Sequence, residues 1–150
     1  MLKVVVVEDE ELVRKGIVLT VDWAGAGCAV VGEAANGEEG LAAAERYNPS
    51  LIITDVRMPR MDGIEMMRRL RERDCTAHFI VLTAYDEFDY ARSALRYGAA
   101  DYLLKPFRDQ DLMAAIARVR EKEGAAQPAE DTPLLPKGDK SKYVLQTLNY

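Results

Sequence analysis

Cysteine is scarce in this chain of 150 residues, and the two present, Cys28 and Cys75, stand alone. They form no CxxC pair, which excludes a thiol redox motif and a disulfide framework. Long apolar runs are missing as well. None approaches the roughly 20 residues that span a bilayer, so no membrane partner is expected. The amino terminus, "MLKVVVV", runs directly into acids and lacks the apolar region and small-residue cleavage site of a signal peptide. A basic excess is also missing. The formal net charge is −5, so this segment has no electrostatic footprint for nucleic acid or an anionic surface. The single histidine, His78, opens a strand with no acid or cysteine ligand near it in sequence, and reads as structural. Together these absences point to a cytoplasmic protein of bacterial type.

The chain is well supplied with short apolar runs. "KVVVV" (3–7), "CAVVGEA" (28–34), "LIIT" (51–54), "HFIVLT" (78–83) and "DYLL" (101–104) have strand length. Most are continuous rather than alternating, as in strands buried on both faces. Helical stripes lie between them. Leu12, Gly16 and Leu19 share one spacing, with Val13, Ile17 and Thr20 beside them. Leu41 and Ala44 form the next stripe, then Ile64, Met67 and Leu70, then Phe88, Ala91 and Leu95. Leu112, Ala115, Ile116 and Val119 complete the set. Each has the three-or-four spacing of a helix with one buried face. Strands alternating with helices predict an α/β fold, a parallel sheet covered on both sides.

Composition changes after Glu123. The stretch 124–138 holds Pro128, Pro133, Pro136, Gly124 and Gly138 and reads as a linker. The domain reading is therefore 1–123, a linker at 124–138, and residues 139–150 as the opening of a further domain or a tail. Elsewhere, "GAGCAVVG" (25–32) precedes a strand rather than following one, so Gly25 and Gly27 read as turn residues, not a dinucleotide fingerprint. The basic run "MMRRLRERD" (66–74) reads as a solvated helix face.

The chemistry sits at the strand ends. In "VVVVEDEE" (4–11) four valines are followed at once by four acids. Glu10 and Glu11 suit the first turn of a helix, where negative charge favours the dipole. Glu8 and Asp9 follow the first strand directly, and Asp55 ends the third. Ligands of an open parallel sheet bind beyond the carboxyl ends of its strands. If the first and third strands are neighbours, the three carboxylates converge and raise one another's pKa values unless a hard divalent cation such as Mg²⁺ relieves them. Thr83 ends the fourth strand and Lys105 follows the fifth. Acids, a hydroxyl and an ammonium at successive strand ends form a complementary set for phosphoryl transfer.

These residues, in the ordered motifs "VVEDE", "LIITDVRMPRMDG" and "VLTAYDEFDYARSALRYGAADYLLKPF", resemble the receiver domain of two-component response regulators over residues 2–122. The resemblance implies a flavodoxin-like (βα)5 fold, a doubly wound five-stranded parallel sheet in the order 2-1-3-4-5. It implies Asp55 as phosphoacceptor, served by a sensor histidine kinase. Mg²⁺ would be held by Asp9, Asp55, the backbone carbonyl of Arg57 and, through water, Glu8, which stands where many members carry aspartate. Thr83 and Tyr102 match the switch pair, and Lys105 the phosphate-binding ammonium. A cis peptide is implied at Lys105–Pro106. Arg57 and Tyr85 occupy positions that govern water access, implying a long-lived acyl phosphate. The subgroup resembled carries AraC-type helix-turn-helix domains. DNA binding would then belong to an output domain that these residues do not include, and transcription control to the whole protein. A homodimer on activation is expected through the fourth helix, fifth strand and fifth helix, with Tyr90, Ala94 and Tyr97 as the outer stripe. An aspartate-nucleophile phosphatase is the first alternative, although it wants an acid where Arg57 stands. A flavodoxin-like cofactor binder is the second, although the strand-end acids oppose a flavin phosphate.

Overall fold

In the computed structural model of the chain, residues 1–131 are described, with Tyr85 and residues 125–131 described by their backbone alone. The expected strands all form: β1 (Leu2–Val7), β2 (Cys28–Ala34), β3 (Leu51–Asp55), β4 (His78–Thr83) and β5 (Ala99–Leu104). They make one sheet of five strands in the order β2-β1-β3-β4-β5, with every neighbouring pair parallel. Val4, Val5, Val6 and Val7 are all fully buried. Successive strand residues face opposite sides, so both faces of the sheet are covered, as the continuous apolar runs require.

Helices fill the connections. They are α1 (Glu11–Thr20), α2 (Gly37–Tyr47), α3 (Gly63–Glu72), a short α4 (Phe88–Ala91) and α5 (Asp109–Asp131). Asn36 caps α2 by accepting from the Glu39 amide at 2.9 Å, and Asp62 caps α3 by accepting from the Glu65 amide at 2.8 Å. Each cap satisfies one of the donors that a helix start leaves open. Leu41 and Ala44 of α2, Ile64, Met67 and Leu70 of α3, and Leu112, Ala115 and Ile116 of α5 are buried as their spacing predicts. Trp23 is packed inside, its indole donating to the Val18 carbonyl at 3.0 Å. Gly27 takes a left-handed φ of 77° in the turn before β2, a conformation open to glycine at little cost.

Two predicted stripes are wrong. On α1, Leu12 and Leu19 are 88% and 77% exposed, and Ile17 is the buried residue. Both stripes fit the helical period. On the same face as Ile17, Arg14 donates to the Glu8 carbonyl at 2.8 Å and to Glu33 of β2 at 3.0 Å. Around α4 the error has a different cause. The four α-helical residues are flanked by 3₁₀ turns at Tyr85–Glu87 and Arg92–Tyr97. With three residues per turn, side chains three apart share a face. Ala91 and Ala94 are therefore buried with Tyr97 packed partly beside them, and Leu95 turns outward; Phe88, at the start of the segment, is exposed although it stands three residues before Ala91. The expected outer stripe Tyr90, Ala94, Tyr97 keeps only Tyr90 exposed.

The basic run on α3 is also divided. Arg68 and Arg69 pair with Glu65 on the helix surface, whereas Arg71 is drawn in. Its guanidinium donates to the carbonyls of Tyr97 and Cys75, each at 2.7 Å, and lies 4.5 Å from the centroid of the Phe79 ring. It thereby ties α3 to the carboxyl end of the second 3₁₀ turn.

Residues Met1–Ala117 form one compact unit. Helix α5 runs on to Asp131, past the boundary expected at Glu123. Ala125, Ala126 and Gln127 are good helix formers, which favours continuation over the loop that Gly124 and Pro128 suggest. Positions 132–138 of the expected linker and all of 139–150 lie outside the described residues.

Two glycines give a matched test of this packing. A Cβ on Gly63 would fall 2.1 Å from the Asp55 carbonyl oxygen and 2.9 Å from Thr54 Oγ1, whereas one on Gly16 meets nothing within 4 Å. Gly63→Ala is expected to cost about 1–3 kcal/mol, because the first obstacle is backbone. Gly16→Ala, inside α1, is expected to gain about 0.5–1 kcal/mol. Urea unfolding of both variants checks the pair.

Candidate functional site

Parallel register carries the predicted residues to one edge of the sheet. Val7 pairs with Thr54, so Glu8 comes level with Asp55. Asp55 pairs with Leu82, one residue before Thr83. Thr83 pairs with Leu104, one residue before Lys105. Carboxylate oxygens of Glu8, Asp9 and Asp55 all lie within 4.8 Å of one another. The ammonium of Lys105 is 3.1 Å from Asp55 Oδ1 and 3.4 Å from Glu8 Oε1. Its own backbone amide donates to the Thr83 carbonyl at 2.8 Å, and its bond to Pro106 is cis, as the resemblance implies.

The acids are held as well as gathered. Glu8 is completely buried, and its second carboxylate oxygen accepts from the Glu10 amide at 3.1 Å. Asp55 Oδ1 accepts from the Val56 amide at 2.9 Å. Burial is the largest influence on both and disfavours their charged forms. The Glu8 carboxyl is pushed up to about 7 by burial, with the Asp55 charge adding to the rise and the Glu10 amide and Lys105 opposing it. Burial also raises Asp55, against the pull of Lys105 and the Val56 amide. The sequence suggests mutual repulsion as the reason; the structure puts loss of water first. For Lys105 burial acts downward, but the charges of Asp55 and Glu8 outweigh it and raise the ammonium.

Thr83 is fully buried, and its hydroxyl donates to the neighbouring Ala84 carbonyl at 3.1 Å. Tyr102, in the middle of β5, packs partly buried against the core. Its hydroxyl oxygen is enclosed with no hydrogen-bond partner, and burial raises its pKa. Arg57 lies in the loop after β3, and its guanidinium turns to Glu87 at 3.0 Å, with the Tyr90 ring centroid 6.0 Å away. The side chain of Tyr85 lies outside the described part of the structure.

Two rim residues escaped the sequence reading. Glu87 accepts from the Ala84 amide at 3.3 Å while it pairs with Arg57. Asp62, besides capping α3, accepts from the Tyr90 hydroxyl at 2.7 Å. Both look like ordinary turn or cap residues in sequence, and nothing there shows that two loops far apart in the chain meet through them.

A family model described as the response regulator receiver domain matches residues 4–117. This chain belongs to the response regulator receiver family. The receiver is 34% identical over 119 residues to the transcriptional regulatory protein YesN of Bacillus subtilis, covering 79% of this chain and 32% of that protein. It is 33% identical to the transcriptional regulatory protein HptR of Staphylococcus aureus, covering 79% of this chain and 46% of that protein. The chain thus spans about a third to a half of these curated relatives. Among solved structures, the REC domain of AraT, a response regulator from Geobacillus stearothermophilus, is 42% identical with a TM-score of 0.79. That match covers 84% of this chain and 98% of the other. A two-component transcriptional regulator AraC from Clostridium phytofermentans is 28% identical with a TM-score of 0.77, covering 85% and 98% of the two chains.

A response regulator implies a sensor histidine kinase as partner, and receivers generally use Mg²⁺ at an acidic site. The residues here fit that ion, since the cluster offers carboxylate oxygens alone, with neither sulfur nor imidazole, as a hard cation prefers. Among the described residues no helix is long and apolar enough to cross a membrane.

The raised Glu8 carboxyl has a signed consequence for the metal-free protein. Between the unfolded value of 4.5 and the folded value of about 7, the native state binds more protons than the unfolded chain. This group's contribution therefore falls as pH rises through that window. Glu8→Gln, which stays neutral, is expected to gain on wild type by on the order of 2–3 kcal/mol between pH 4.5 and 7.5. Denaturant unfolding of both proteins in chelator, across that range, measures it.

Proposed function

We propose that the receiver is a phosphorylation-driven switch in which Asp55 accepts a phosphoryl group from a histidine kinase in the presence of Mg²⁺. The observation that carries this reading is the convergence of Glu8, Asp9 and Asp55 around the ammonium of Lys105 at the ligand-binding edge of the sheet. A carboxylate oxygen of Asp55 attacks phosphorus. The bond from phosphorus to the kinase's imidazole nitrogen breaks, and its electron pair stays on that nitrogen. Asp9, Asp55, the Arg57 carbonyl and, through water, Glu8 would hold the cation. When bound, the cation offsets charge on the transferring oxygens. Lys105 does the same from the protein side, and the Val56 amide keeps the Asp55 carboxylate oriented.

The new acyl phosphate brings a charge of about −1.5 to −2 and fresh acceptor oxygens. The Thr83 hydroxyl, now spent on a backbone carbonyl, turns to that group. A hydrogen bond to a charged acceptor contributes roughly 1.5–3 kcal/mol, whereas a near-complete switch needs about 5.5 kcal/mol. Thr83 therefore acts with others. Lys105 is one, Tyr102 with its unpartnered hydroxyl is a second, and association of two copies is a third. Phe88, Tyr90, Leu95 and Leu104 are exposed on the fourth helical segment and β5. They make the homodimer face expected in that region, with Phe88 and Leu95 in place of Ala94 and Tyr97. The names of the relatives support transcription control, exercised through an AraC-type DNA-binding output domain that follows the linker. The phosphatase alternative gains nothing, since the residue it needs as an acid is Arg57, engaged with Glu87.

Acetyl phosphate with Mg²⁺ is expected to add the mass of one phosphoryl group to wild type and none to Asp55→Ala, and chelator is expected to abolish the gain. Intact-mass spectrometry reads all three. Labelling of Asp55→Ala at the wild-type level would reject the assignment. Light scattering over a concentration series with beryllofluoride is expected to show a dimer that Leu95→Glu abolishes; a constant monomer mass would remove the association step.

A further inference from the structure

The phosphoacceptor mechanism leaves Glu87 without a task, yet its carboxylate reaches into the rim of the site. Ala84 follows the last residue of β4, and Leu82 is level with Asp55. The Ala84 amide therefore lies just beyond Asp55 on the ligand-binding edge. A backbone N–H in such a place must find an acceptor. The Val56 amide is already taken by Asp55 itself. The Ala84 amide is taken by Glu87 Oε1 at 3.3 Å, and the Arg57 guanidinium by Glu87 Oε2 at 3.0 Å. One side chain thus occupies two donors that could serve an anion bound to Asp55. The Glu87 charge is also felt at Asp55, where it is among the influences that raise the carboxyl.

We propose that Glu87 is an internal competitor of the phosphoryl group, holding the Ala84 amide and Arg57 until phosphorylation expels it. The inference rests on the reading of Asp55 as phosphoacceptor. A phosphorylated Asp55 faces Glu87 as a like charge and seeks the same donors, and the phosphoryl group, with a charge of about −1.5 to −2, presents more negative charge to them than the single charge of the Glu87 carboxylate. Expulsion has a mechanical result, because Glu87 immediately precedes α4. Once its carboxylate leaves, the Tyr90–Asp62 hydrogen bond remains as a tie between this end of the segment and the loop before α3. The competitor therefore couples occupancy of the site to the position of the exposed apolar face.

The test is titration of the full chain with beryllofluoride in excess Mg²⁺, following the Ala84 amide resonance by NMR. It compares wild type with Glu87→Ala, Glu87→Gln and Asp55→Asn. Glu87→Ala is expected to bind the mimic roughly three- to tenfold more tightly than wild type, and its Ala84 amide to shift before any mimic is added. Glu87→Gln keeps the size and one acceptor but loses the charge, and is expected to fall between the two. It also serves as the working variant should Glu87→Ala lose its native circular dichroism. Unchanged or weaker binding in the Glu87 variants, or an Ala84 amide indifferent to Glu87, overturns the proposal while the phosphoacceptor reading stands. Mimic binding absent from wild type, or equal in Asp55→Asn, overturns the phosphoacceptor reading and the competitor with it.

Discussion

A single ammonium between two buried carboxylates is the interaction on which the rest of this receiver depends. Glu8 and Asp55 sit where water cannot reach them freely, and burial alone pushes both toward the protonated state. Lys105 opposes that tendency without cancelling it. The result is a pocket short of positive charge, with Asp9 half-exposed at its mouth. Such a pocket favours any cation that can share its oxygens. The arrangement also explains why the valines of β1 lead straight into acids. A strand whose last four residues, Val4 to Val7, are fully buried is what holds a carboxylate in place against the cost of keeping it from water.

Most of this was legible in the sequence, because the fold does little to the strand ends beyond bringing them level. Asp55, Thr83 and Lys105 each close or follow a continuous apolar run, and parallel pairing turns positions along the chain into positions along one edge. The order of the motifs identified the family, which supplied the strand order that periodicity alone leaves open. The failures share a different character. Leu12 and Leu19 satisfied the helical period as well as Ile17 did, but the face that turns inward is the one with Ile17 and Arg14, whose partners are Glu33 of β2 and the Glu8 carbonyl just after β1. Periodicity reports that a helix has an apolar face, but not which of two faces turns inward.

The fourth segment shows a deeper limit. Its stripe was read at 3.6 residues per turn, whereas the chain winds at three per turn from Arg92 onward. That change of pitch exchanges Leu95 for Ala94 in the interior, and so exchanges the surface offered to a second copy. Glu87 and Asp62 were invisible for a related reason. Each has a sufficient local explanation in its own turn or cap, while its second partner comes from a loop distant in sequence. Local sufficiency hides long-range function.

Arg71 gives the fourth segment a fixed point. Its bonds to the Tyr97 and Cys75 carbonyls and its seat against the Phe79 ring lie at the carboxyl end, away from Asp55. Any rearrangement that leaves those bonds intact is a swing about residue 97, small near the pivot and largest around Phe88. The segment is then a lever with its fulcrum on α3, and the Tyr90–Asp62 hydrogen bond is the tether that limits how far its free end can travel.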